Sequence, residues 1–348
     1  MTIPDRTRRW PTRRPNRLAV AAGASAALAI IAAGVAHAAR RAEQEHPPRG
    51  AFVFHDGVRL HYLERGRGTP VVLLHGNLVH AEDFVASGLF DRLAERHRVI
   101  AFDRPGFGYS ERPRDRLWTA DAQAQLLHGA FRKLGLERPI VVGHSWGTLV
   151  ALALAQRAPS DVRKLVLLSG YYFPTVRLDV AVAAPPAIPI IGDVMRYTVS
   201  ALLARLALGR TVRAMFAPQP VPPHLLPTLG RGLLVRPSQI RATAEDAAFM
   251  VPAAAALRKR YGEIDTPAAI FAGDGDKAVA PDQARRVQRA LPRSELHVLP
   301  GLGHMLHHAA AERIAAAVAA EGPSQGASVG AAGAARDAIM PVAAGAGA

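Results

Sequence analysis

The sequence predicts an α/β fold: a mostly parallel, eight-stranded sheet flanked by helices, with a helical cap inserted after the sixth strand. Three observations carry this expectation. Short continuous apolar runs alternate with helical patterns from residue 51 to 320, as strands buried on both faces do. The pentapeptide Gly143-His144-Ser145-Trp146-Gly147 lies between the apolar run Pro139-Ile140-Val141-Val142 and an apolar, helix-compatible segment starting at Thr148. The alternation then breaks between Gly170 and Asp265, where proline-rich sequence carries apolar helical segments such as Val194 to Leu208 and Thr243 to Leu257.

In chain order, Ala51 to Phe54 and Val58 to Tyr62 read as strands joined by a hairpin around Asp56-Gly57. Val71 to Leu74 is the third strand. Val99 to Phe102 follows a helical stretch from Phe84 to His97, and Ile140 to Val142 follows one from Thr119 to Leu134. Leu165 to Leu168, Ala268 to Phe271 and Leu296 to Leu299 complete the series. The division is therefore a core of residues 51–170 and 266–320, with a cap of residues 171–265. In such sheets the site gathers at the carboxyl ends of the strands. The polar motifs fall there.

The amino terminus reads as an address. Residues 1–17 form a basic region, and 18–39 are apolar, with His37 the only titratable group. By the positive-inside rule, Arg6 to Arg17 stay cytoplasmic and the remainder is exported. Two outcomes fit: cleavage near Ala38 at the small-x-small sequence Ala36-His37-Ala38, or retention as a membrane anchor. The length of the run favours the anchor. Residues 40–50 read as a charged, proline-containing linker. Residues 321–348, mostly Gly, Ala and Ser, are expected to be disordered.

The net charge of +15 raises the question of nucleic acid. Residues 1–41 supply +7 of it, and the remainder is scattered arginine with no stripe of interleaved aromatics. Nucleic-acid binding is not expected, and a small molecule is. The chain has no cysteine, which excludes disulfides, thiolate metal sites and cysteine nucleophiles.

A serine hydroxyl is a weak nucleophile until it is lifted clear and given a base. The strand-turn-helix of a G-x-S-x-G motif lifts it, and a Cβ at Gly143 or Gly147 would collide with neighbouring chain. The base expected for Ser145 is His304, just after the last strand in Gly301-Leu302-Gly303-His304. Asp276, in Gly273-Asp274-Gly275-Asp276, is the orienting acid, favoured over Asp274 on motif position. The oxyanion hole is assigned to the backbone N–H groups of Trp146 and Asn77, the latter in His75-Gly76-Asn77. Their side-chain N–H groups are extra donors or wall. No cofactor is called for.

His75-Gly76-Asn77, Asp103 to Ser110, Gly143 to Gly147, Gly273 to Asp276 and Gly303-His304 together resemble the α/β-hydrolase fold superfamily over about residues 51–320. The resemblance is to its capped branch of haloalkane dehalogenases, epoxide hydrolases, C–C bond hydrolases and haloperoxidase-like esterases. It implies the same roles for Ser145, Asp276, His304, Asn77 and Trp146. The Asn77/Trp146 pair is similar to the halide-gripping pair of the dehalogenases, yet those enzymes and the epoxide hydrolases use aspartate as nucleophile. Water can hydrolyse an aspartyl ester but not a seryl ether, so Ser145 disfavours both reactions. Hydrolysis of an ester or similar carbonyl compound is expected. C–C bond hydrolysis and perhydrolysis are the enzymatic alternatives, and a non-catalytic binder on a hydrolase shell is the alternative from another class.

Other residues take plainer expectations. Asp103 to Ser110 shapes a supporting loop, His75 organises the oxyanion loop, and His144 either lines the pocket or packs beneath the turn. His307 and His308 are expected at the surface, and with His304 lie too close in sequence to form a metal set. Tyr171 and Tyr172 are expected to pack. Met195, Leu202, Leu203, Met215, Phe216, Phe249 and Met250 are assigned to the cap core.

Overall fold

The computed structural model describes residues 17–320, except 178, 179, 181 and 182. The expectations for residues 1–16 and for the tail 321–348 lie outside the described residues. Eight strands form one sheet: β1 (Ala51–His55), β2 (Val58–Arg65), β3 (Pro70–Leu74), β4 (Arg98–Phe102), β5 (Ile140–His144), β6 (Lys164–Leu168), β7 (Ala268–Gly273) and β8 (Ser294–Leu299). Their spatial order is β1-β2-β4-β3-β5-β6-β7-β8. The first two pairings, β1 with β2 and β2 with β4, are antiparallel, and all others are parallel. Asp56 and Gly57 both have positive φ, 48° and 74°, as the predicted two-residue hairpin turn requires.

Period-two alternation splits the strands between two cores. Val72 and Leu74 pack on one face with α4 (Ala120–Lys133) and α5 (Trp146–Arg157). Val71 and Leu73 pack on the other with α2 (Glu82–Ala86), α3 (Leu89–Ala94) and α12 (Ala311–Ala319). The remaining core helix, α11 (Asp282–Ala290), leads into β8. From β3 the chain runs to β4 on one side, then crosses to β5 on the other. The loops after β3 and β5 therefore diverge and open a crevice at the strand ends.

Between β6 and β7 the cap contributes α6 (Ile191–Tyr197), α7 (Val199–Phe216), α8 (Leu225–Leu229), α9 (Arg231–Leu234) and α10 (Pro237–Leu257). The cap core differs from expectation. Phe216 is buried, but Leu202 and Leu203 are exposed, because α7 turns Ala201, Leu208, Val212 and Phe216 inward instead.

Residues 40–50 also differ from a loose linker. Helix α1 (Arg17–Glu45) continues through them to Glu45. Val35 and Ala42 are buried, and Ala42 packs against the backbone position of Gly232 so tightly that an added Cβ there would meet it at 2.6 Å. Arg236 pairs with Glu43 at 2.7 Å. Beyond the helix, the Tyr109 hydroxyl donates to the His46 carbonyl and His61 Nε2 to that of Arg49. The sequence shows charges and prolines there but not the small-residue seam that lets the helix dock.

Candidate active site

Ser145 caps α5 in a strained backbone conformation, φ 51° and ψ −117°. Its turn has no room for side chains at the flanking glycines. An added Cβ would lie 2.7 Å from the Gly147 carbonyl oxygen at Gly143, and 2.2 Å from that of Leu74 at Gly147. Gly76 is equally constrained, since a Cβ there would meet Ser145 Cβ at 3.0 Å. The loop carrying Gly76 and Asn77 thus lies directly against the turn that carries Ser145. Trp146 occupies the first helical position, where the backbone N–H has no partner within the helix.

His304 and Asp276 come to Ser145 from 159 and 131 positions further along the chain. Ser145 Oγ lies 2.9 Å from His304 Nε2, and Asp276 Oδ2 lies 2.8 Å from His304 Nδ1. Asp276 Oδ1 accepts the N–H groups of Ala278 and Val279 at 2.8 and 2.9 Å, which fixes the carboxylate plane. The rival Asp274 faces elsewhere, accepting the Gly301 N–H at 2.6 Å. Glycine is required around the histidine loop: a Cβ at Gly273 would sit 2.1 Å from the Leu302 carbonyl oxygen, and one at Gly303 2.1 Å from that of Ala217.

The side chains of Asn77 and Trp146 are already engaged. Asn77 Nδ2 donates to the Thr243 carbonyl at 3.0 Å, and Trp146 Nε1 to that of Asp246 at 2.8 Å, both on α10. They fasten the cap to the site, and the single indole N–H of Trp146 is used in doing so. A cavity of about 170 Å³ reaches from Leu78 into the cap, among Leu208, Leu234, Ile240 and Ala244. Thr243 also lines it, and its buried hydroxyl has no hydrogen-bond partner.

The loop after β4 supports this floor. Arg104, fully buried, donates from Nε to the His75 carbonyl at 2.8 Å and from one terminal nitrogen to that of Gly76 at 3.0 Å. Its other terminal nitrogen pairs with Asp246 at 2.6 Å, and Arg112 meets the same carboxylate at 3.1 Å. One buried carboxylate on the cap thus answers two arginines of the core. No local pattern marks Asp246, because its partners lie more than a hundred residues upstream.

His144 packs beneath the turn. Its Nε2 donates to the His304 carbonyl at 3.0 Å, so it holds the loop that carries His304. The surface expectation for His307 and His308 is corrected. Their Nε2 atoms donate to the two oxygens of buried Asp83 at 2.8 and 2.9 Å, and His307 is fully buried. Burial alone would raise Asp83, but the two histidines outweigh it and hold the carboxyl well below its ordinary value. Asp83, His144 and His307 place possible ligand atoms within 4.8 Å of one another. Both Asp83 oxygens already accept ring N–H groups, so the set is accounted for by hydrogen bonding.

Three buried imidazoles are held neutral. Burial, seconded by the Arg104 charge, lowers His75 to about 3. Its neutral form is fully satisfied, with Nδ1 donating to Gly76 O at 2.7 Å and Nε2 accepting the Arg104 N–H at 2.9 Å. Burial, then the neighbouring His307 and His304, holds His144 well below its ordinary value, and burial lowers His307. In the unfolded chain each takes a proton near pH 6.5. Their stabilisation is therefore complete above about pH 6.5 and is lost as pH falls toward the folded values. His61 runs the other way: Asp103 outweighs burial and raises it, so its contribution is present below about pH 6.5 and lost above. Burial, then the Arg96 charge, also lowers the partly buried His97, so four imidazoles stand against one and the Tm is expected to fall between pH 7 and 5. The slope is up to about 1.4 kcal/mol per pH unit for each uncompensated imidazole. Thermal melts across that range check this, and a Tm that rises on acidification contradicts it.

Residues 69–311 match the family described as alpha/beta hydrolase fold. A 2-hydroxymuconate semialdehyde hydrolase of Pseudomonas putida is 35% identical over 150 residues, 42% of this chain and 53% of that protein. The match thus spans about half the length of that relative. Haloalkane dehalogenase 2 of Mycobacterium tuberculosis is 28% identical over 269 residues, 75% of this chain and 90% of that protein. Among solved structures, an esterase from Exiguobacterium antarcticum superposes with a TM-score of 0.66 at 21% identity, covering 78% of this chain and all 100% of that one. At that identity the likeness speaks for the fold.

Proposed function

The chain belongs to the α/β-hydrolase fold family, and we propose that within it the protein is a serine hydrolase acting on an ester or similar carbonyl substrate. The carrying observation is the linear arrangement Ser145 Oγ, His304 Nε2, His304 Nδ1, Asp276 Oδ2, at 2.9 and 2.8 Å. In this reading His304 takes the Ser145 proton as the hydroxyl attacks the carbonyl carbon, and Asp276 stabilises the imidazolium. The backbone N–H groups of Trp146 and Asn77 receive the oxyanion, each worth about 3 kcal/mol in the transition state. His304 returns the proton to the leaving group, then activates the water that releases the acyl group. The largely apolar cavity beyond Leu78, whose polar side chains are Thr211 and Thr243, supports a small to medium apolar substrate.

Haloalkane chemistry is disfavoured for this chain despite the dehalogenase relative. Serine stands where a dehalogenase has aspartate, and the one side-chain donor of Trp146 is spent on a cap carbonyl. The relatives named 2-hydroxymuconate semialdehyde hydrolase favour a second reading, C–C bond hydrolysis by the same serine. A fluorophosphonate probe, followed by esters of increasing acyl length alongside vinylogous diketones, separates the possibilities. Probe labelling with ester turnover supports the esterase, and diketone cleavage exceeding ester turnover supports the C–C hydrolase. A folded protein that refuses the probe is a binder.

We also propose that α1 is retained as a membrane anchor, with the hydrolase on the exported side. Its stretch Val20–Glu45 is long and apolar enough to cross a bilayer, and only 6% of its most apolar window is buried. A cut after Ala38 would sever the helix inside its docking seam, between Val35 and Ala42. The protein is expected to remain in the membrane pellet after alkaline extraction, with its amino terminus upstream of residue 18. A soluble mature form beginning at Ala39 refutes the anchor.

A further inference from the structure

The cap carries an apolar surface that no other part of the described chain covers. On α7, Val199, Leu202, Leu203 and Leu206 repeat at the i, i+3, i+4, i+7 spacing of one helical face and are all exposed, Leu206 at 83%. The opposite face supplies the buried contacts of Ala201, Leu208, Val212 and Phe216. A helix apolar on both sides is unsuited to water on either. The preceding turn and α6 extend the patch with Ile190 at 79%, Ile191 at 59% and Val194 at 55% exposure. Clustered exposure of this kind marks an interaction surface.

We propose that this face of the cap is immersed in the lipid bilayer beside α1, so that the enzyme enters the membrane by its cap as well as spanning it with one helix. The proposal rests on the anchor reading, and the position of α1 supports it. Helix α1 packs against α6, α9 and α10, so the patch lies next to the helix that crosses the membrane. The apolar run between Arg17 and Arg40 rises about 33 Å, close to the roughly 30 Å of bilayer hydrocarbon. With Arg40 at the boundary, the buried contact of Val35 lies about 7 Å inside it. Interfacial helices reach similar depths, roughly 5–10 Å. The exposed face of α7 then continues with Arg210 and Arg213, which have no ion-pair partner among the described residues. An apolar face two turns long, with exposed Arg205 at its flank and two arginines at its end, suits a helix that leaves hydrocarbon for anionic headgroups.

The chain has no cysteine, so a single introduced thiol carries a single label. The full-length protein is reconstituted in phosphatidylcholine/phosphatidylglycerol vesicles at low protein-to-lipid ratio, with an environment-sensitive fluorophore at Leu203→Cys or Leu206→Cys. Leu28→Cys, mid-way along α1, and Ser160→Cys, at the strand ends opposite the cap, are the references. Brominated lipid is expected to quench labels at 203, 206 and 28 and to leave 160 unchanged. Quenching at 28 with none at 203 and 206 overturns the cap insertion and leaves the anchor standing. No quenching at 28 removes the anchor and the proposal with it. Fluorophore–fluorophore self-quenching at 206 without an effect of brominated lipid assigns the face to a second copy of the chain and likewise overturns it.

Discussion

Replacing Ser145 with alanine is expected to lower kcat on the best ester by about a million-fold, leaving the residual rate that oxyanion donors and binding alone provide. The side chain is small and its backbone conformation is set by the surrounding turn, so S145A retains its fold and Tm. The loss is therefore chemical. Fluorophosphonate labelling disappears in the same variant, and His304→Ala produces a comparable loss of turnover because the two groups act as a unit. Turnover in S145A within tenfold of the unmodified enzyme would falsify the assignment of the nucleophile. Retained labelling would move it to another serine.

The second large effect is on stability. Asp246→Ala removes the one carboxylate shared by buried Arg104 and Arg112, at 2.6 and 3.1 Å. Arg104 then remains in the interior without a carboxylate partner, Arg112 keeps only Glu245 at 2.5 Å, and Gln123 loses its 3.2 Å contact with the same oxygen as Arg112. Breaking a buried pair from one side costs about 3–5 kcal/mol, which for a domain of this size lowers Tm by roughly 10 °C. Differential scanning calorimetry reads this directly. A shift below about 2 °C shows that Arg104 finds compensation elsewhere. The effect extends to the site, because Arg104 also grips the carbonyls of His75 and Gly76 and stacks 4.8 Å from the Trp146 ring. Substituting Asp246 is therefore expected to reduce kcat as well as Tm, whereas a change confined to the core leaves kcat alone.

Some of the molecule was readable without coordinates because the information is local. The elbow glycines, the hairpin at Asp56-Gly57 and the short apolar strands each answer to a steric or solvation demand a few residues wide. Ser145, His304 and Asp276 were nameable because each follows a strand directly and so must emerge at one edge of a parallel sheet. What escaped were partnerships without a local mark. His307 and His308 look like surface histidines until Asp83, 224 positions before His307, is placed beneath them. Leu202 and Leu203 look like core until α7 is seen to bury its other side.

Residues 40–50 teach the same lesson. Their charges and prolines describe a tether, while Ala42 against Gly232 and Glu43 against Arg236 dock it to the cap. Such contacts depend on small residues meeting across a long sequence interval, and small residues carry almost no pattern of their own.

The sequence by itself determined the sheet, the order of its strands along the chain and the residues at their carboxyl ends, because hydrophobic periodicity and backbone sterics act over neighbouring positions. Only the tertiary structure decided which of two aspartates meets His304, that the Asn77 and Trp146 side chains hold the cap, and which face of α7 is left uncovered. Those outcomes depend on distance and burial between segments far apart in the chain, and burial changes what a charge or an apolar side chain costs. No single segment holds that information.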